Sequence, residues 1–126
     1  MKKSKLILLF FVVTFSMNCC SKKVDVISMN EFQDKILDNK TVVLDVRTEE
    51  EYYGPLGHIN GSILIPINEL EDRLSELNDY RENTIYVVCR SGNRSGFGKD
   101  ILNKNNFTAI NVDGGMLDWK TDKNER

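Results

Sequence analysis

Two runs, Thr41-Val42-Val43-Leu44-Asp45-Val46 and Thr84-Ile85-Tyr86-Val87-Val88, set the narrowest limits on what this chain can fold into. A strand with one wet face alternates apolar and polar residues, because successive side chains point to opposite sides of the sheet. Neither run alternates cleanly, so both faces must be covered, as in a central strand of a parallel sheet.

Helical signals fall between such runs. Val24-Asp25-Val26-Ile27 alternates with period two and predicts a short first strand. Ser28-Met29-Asn30-Glu31 is a capping box opening a helix whose apolar face is Phe32, Ile36 and Leu37. Thr48-Glu49-Glu50-Glu51 is a second box, and Gly54-Pro55-Leu56-Gly57 breaks the chain after it. Ser62-Ile63-Leu64-Ile65 predicts a strand closed by Pro66; Asn68 then opens a helix with Leu70, Leu74 and Leu77 on one face. A helix through Phe97, Ile101 and Leu102 and a strand Thr108-Ala109-Ile110-Asn111-Val112 complete the order. Strands alternating with helices predict an α/β domain: a central, mostly parallel β-sheet with helices on both faces.

The chain has 126 residues, of which 40% are hydrophobic and 29% charged, enough for one core and one domain. A formal charge of -2 without a basic cluster excludes an electrostatic surface for nucleic acid. The first 20 residues read as a signal peptide: Met1-Lys2-Lys3-Ser4-Lys5 is basic, and the apolar stretch that follows is about half of the roughly 20 residues a spanning helix needs. It ends at Cys19-Cys20-Ser21, which resembles the lipobox of bacterial lipoproteins, with Cys20 favoured over Cys19 as the lipid-bearing residue. Export to the periplasm and anchoring to a membrane through acyl chains are therefore expected. Residues 21–27 form the linker and first strand, residues 28–120 the domain, and residues 121–126 a charged tail that frays. Of three cysteines two lie in the leader, so the domain has no disulfide framework and Cys89 stands alone.

Cys89 follows the most strand-like run directly, where the chain of an open α/β sheet turns toward a helix and where ligands collect. The amides of residues 91–95 and the positive pole of the next helix form an anion-binding nest around its sulfur. Arg90 and Arg94 add fixed positive charge, Ser91 and Ser95 offer hydroxyls, Asn93 is a further polar donor, and Gly92 permits a tight turn with positive φ. A thiol in that setting ionises more readily than a free one near 8.5. An inert core cysteine is the plainer alternative, and it gains nothing from so many polar neighbours.

Asp45-Val46-Arg47 with Glu51-Tyr52, then Gly57-His58-Ile59-Asn60-Gly61-Ser62 and Ile65-Pro66, then the loop of residues 89–95, and finally Asp113-Gly114-Gly115 with Trp119 resemble the rhodanese family in order. The resemblance implies a rhodanese-like fold and a single-domain sulfurtransferase. Cys89 would take the outer sulfur of thiosulfate or a similar anion as a persulfide and pass it to a thiol or cyanide. Arg90, Ser91, Gly92, Asn93, Arg94 and Ser95 would bind the substrate, and no metal or organic cofactor is implied. Asp45 and Arg47, with Glu51 as a further partner, and His58 are expected to support the loop. Trp119 is expected to lie under the last loop, and the protein to be a monomer. Two rivals stand beside this reading: a cysteine-dependent phosphatase, disfavoured because four rather than five residues separate Cys89 from Arg94, and a non-catalytic binding module of the same fold.

Overall fold

The computed structural model describes residues 23–38 and 40–124, so the leader with Cys19 and Cys20 lies outside the described residues. Both capping boxes form. Ser28 accepts from the Glu31 amide, the Glu31 carboxylate accepts from the Ser28 amide, and α1 (Met29–Lys35) starts there; Thr48 and Glu51 do the same for α2 (Glu49–Tyr52). Among the described residues five parallel strands pair in the order β1-β5-β4-β2-β3: β1 (Val26–Ser28), β2 (Val42–Asp45), β3 (Ile63–Leu64), β4 (Thr84–Val88) and β5 (Thr108–Asp113). The sheet is thus wholly parallel.

Period two distributes the strand side chains between two cores. Leu44, Ile85, Val87, Cys89 and Ala109 face one side, with Leu102 of α3 (Asn93–Lys104) and with Leu70 and Leu77. Val43, Val88 and Val112 face the other, against Met29 and Phe32 of α1 and Met116 of α4 (Gly115–Asn124). Helices therefore cover both faces. Trp119 belongs to this second core, its ring 6.4 Å from that of Phe32.

Four details depart from the sequence reading. Leu37 and Phe97 are 82% and 67% exposed, so neither contributes to an apolar helix face. The segment with Leu70, Leu74 and Leu77 is 3-10 rather than α-helical, over Ile67–Glu69 and Glu71–Tyr80, with no side-chain cap at its start. Leu70 and Leu77 are nonetheless fully buried there. The chain from Gly115 to Asn124 is helical, through residues expected to fray.

Candidate active site

β4 and β2 end side by side, Asp45 opposite Val88, and the loop after each strand rises from the same edge of the sheet. Cys89 leaves β4 on the face it shares with Val87 and is only 1% exposed. Burial alone would make it inert, but the turn's donors converge on it. The Gly92 amide lies 3.1 Å from Sγ and the Ser95 hydroxyl 3.3 Å away. Burial pushes the thiol up; the Ser95 hydroxyl and the amides of Ser95, Gly92 and Ser91 pull it down by more, and it ends below its ordinary value. Of the amides expected around the sulfur, those of Ser91, Gly92 and Ser95 act on it.

The helix across the loop explains why those amides turn inward. At the start of α4 the Met116 amide donates to the Cys89 carbonyl at 2.9 Å and the Leu117 amide to the Arg90 carbonyl at 3.1 Å. Two loop carbonyls are thereby drawn outward onto free helix-start donors, leaving the following amides to face the sulfur. So close an approach excludes a side chain at Gly115, where a β-carbon would stand 2.5 Å from the Cys89 oxygen and 2.7 Å from that of Arg90. Gly115→Ala is expected to cost about 1–3 kcal/mol and to raise the pH at which Cys89 ionises, measured by denaturant melting and thiol alkylation. On the other side of the loop Gly92 takes φ of 107°, and a β-carbon there would meet Asp113 Oδ1 at 2.9 Å.

The charges differ from the sequence reading in their pairing. Arg94 forms a two-pronged pair with Glu51, both contacts at 2.7 Å, which holds the Glu51 carboxyl down at about 2 and raises Arg94. Glu51 thus serves Arg94 instead of Arg47, to which it gives only its backbone oxygen, at 3.2 Å. The downward pull on the thiol comes from hydrogen bonds, and Arg94, itself favoured by a negative sulfur, stands within an ion pair. Arg90 is exposed and borders a hollow of about 430 Å³ with Arg47, Glu50, Glu51, Pro55 and Leu56. Ser91 opens onto another, of about 300 Å³, beside Asp113 and Asp118. Asn93 is exposed on the first turn of α3.

Asp45 and Arg47 are both fully buried, with a 2.8 Å contact between Arg47 Nη2 and Asp45 Oδ2. Arg47 also donates to the carbonyls of Glu51 and Gly57, tying α2 and the Gly57 loop to the end of β2. His58 stacks on Tyr52 with ring centres 3.8 Å apart, and its Nδ1 lies 3.0 Å from the Tyr52 carbonyl. A carbonyl only accepts, so Nδ1 carries the proton there. Tyr52 in turn donates to the Ser62 carbonyl at 3.0 Å. These residues brace α2 and through it Glu51 and Arg94. Asn111 was not among the sequence candidates: it lies on β5, 2.6 Å from the Ser95 hydroxyl and 3.2 Å from the Gly92 carbonyl.

Residues 28–122 match the model of the rhodanese-like domain. The chain belongs to the rhodanese-like domain family. Within it, the chain is 41% identical over 95 residues to the putative sulfur carrier protein YrkF of Bacillus subtilis, covering 74% of this chain but only 49% of that protein. It is 33% identical over 75 residues to the thiosulfate sulfurtransferase PspE of Escherichia coli, covering 60% of this chain and 70% of PspE. Its rhodanese fold superposes on a rhodanese-like domain protein from Staphylococcus aureus with a TM-score of 0.68 at 35% identity, over 76% of this chain and 91% of the other.

Proposed function

We propose that this rhodanese-like chain moves sulfane sulfur by a double displacement on Cys89, and the observation that carries the reading is the convergence of the Gly92 amide and the Ser95 hydroxyl on Sγ. The Cys89 thiolate attacks the outer sulfur of thiosulfate, the sulfur–sulfur bond of the donor breaks, and sulfite leaves with the electron pair. The persulfide adds a sulfur about 2 Å beyond Sγ, toward the loop. A thiolate or cyanide then attacks that outer sulfur, forming a persulfide or thiocyanate and returning Cys89 as thiolate. Amide donors suit the charge at every stage, because it stays on sulfur throughout. Arg90, exposed at the mouth of the hollow, is the residue to attract the anionic donor.

The four-residue spacing to Arg94 and the commitment of Arg94 to Glu51 favour this chemistry over phosphoryl transfer. Protein incubated with thiosulfate is expected to gain one sulfur atom on Cys89 by mass spectrometry, to release it to cyanide, and to leave an aryl phosphate intact. Phosphate release without sulfur uptake would overturn the reading, and no change in mass would favour a docking module.

A further inference from the structure

Ser95 has one hydroxyl proton and more acceptors than it can serve. Its Oγ stands 2.6 Å from Asn111 Oδ1, 3.0 Å from the Gly92 carbonyl and 3.3 Å from Cys89 Sγ. The Asn111 amide cannot be turned round: its other end lies 3.2 Å from the Gly92 carbonyl, which only accepts, so the NH2 group faces Gly92 and the oxygen faces Ser95. Asn111 is 8% exposed and Ser95 fully buried, so a donor lost there is costly to the oxygen it leaves.

The two protonation states of the sulfur require different directions of that hydroxyl. A thiol donates its S–H to Ser95 Oγ, and Ser95 donates to Asn111. A thiolate only accepts, so its proton departs to solvent, the Ser95 O–H rotates toward Sγ, and Asn111 Oδ1 loses its donor. We propose that Asn111 is a positioning residue that competes with Cys89 for the Ser95 proton and thereby sets how readily the sulfur becomes anionic. This rests on Cys89 being the nucleophile. The charged groups facing the site are Arg90 on the loop, Arg94 of α3 with Glu51 of α2, Asp45 at the end of β2 and Arg47 after it, Asp113 at the end of β5 and Asp118 of α4, and the test alters none of them.

The test is the pH dependence of iodoacetamide alkylation in the full chain, read on the Cys89 peptide by mass spectrometry so that Cys19 and Cys20 are not counted. Asn111→Leu removes the nearer of the two oxygens that compete with sulfur for the hydroxyl, the Gly92 carbonyl remaining, and is expected to lower the ionisation midpoint by about half to one pH unit, the size of one net hydrogen bond. With Ser95→Ala as background the same substitution is expected to shift nothing, because the intermediary is gone. Asn111→Asp, isosteric and a stronger acceptor, is expected to raise the midpoint, and it serves if the leucine variant does not fold. An unmoved midpoint, a rise with leucine, or an equal shift without the Ser95 hydroxyl would overturn the proposal. Wild-type protein that titrates as described but takes no sulfur from thiosulfate would overturn the sulfurtransferase reading alone.

Discussion

Cys89→Ser is expected to lower sulfur transfer by more than about a thousandfold while the fold persists. The substitution is nearly isosteric, and a serine oxygen at that place still accepts from the Gly92 amide and pairs with Ser95, so the core loses little. The chemistry does not survive. An alkyl hydroxyl holds its proton far more tightly than a thiol, and the thiol here is drawn further below its ordinary value by the same donors. Turnover with thiosulfate and cyanide, intact mass after thiosulfate exposure, and a thermal melt together check the expectation. Transfer retained at even a tenth of the wild-type rate would move the nucleophile elsewhere.

Arg47→Ala is expected to cost about 3–5 kcal/mol, the range for removing one partner of a buried ion pair. Both side chains are inaccessible to solvent, so the substitution leaves the buried Asp45 carboxyl without its partner, and the Gly57 and Glu51 carbonyls would lose a donor. Against a total of about 5–15 kcal/mol for a domain, that is a large fraction. Arg47→Lys is expected to recover little, because an ammonium cannot reproduce contacts made by Nε, Nη1 and Nη2 together. Denaturant melting measures the loss, and a change under about 1 kcal/mol would mean that the pair does not brace the domain.

Local signals made much of this architecture legible. The capping boxes at Ser28 and Thr48 are self-contained four-residue devices, and each stands where the sequence places it. The unbroken apolar runs announce β2 and β4 because covering both faces is a property of the strand itself. The spacing of Leu70, Leu74 and Leu77 identifies residues that turn inward, but apolar spacing does not report which carbonyl each amide reaches, and the segment is 3-10. Phe97 shows the converse: its period fits a helix face with Ile101 and Leu102, yet Leu102 is buried while Phe97 itself is 67% exposed.

The site divides along the same line. The contents of the loop at residues 89–95 are contiguous and readable, while its partners are not. Glu51 and Arg94 are 43 residues apart, and nothing local distinguishes Glu51 from Glu49 or Glu50 as the partner. Asn111 reads as an ordinary polar residue in a strand. Only the register that sets it opposite Val87 places it on the buried face beside Ser95; its alternation with the buried Ala109 is the one hint the sequence carries.

The dependence of the cysteine loop on α4 has a consequence for synthesis. Residues 89–95 leave the ribosome before Met116 and Leu117, whose amides draw the loop carbonyls outward. During that interval the nascent chain carries its thiol without the donors that shape its cradle. The loop's final shape therefore waits on the last helix, and a polypeptide stopped short of residue 115 carries Cys89 but not the two donors that hold its carbonyls.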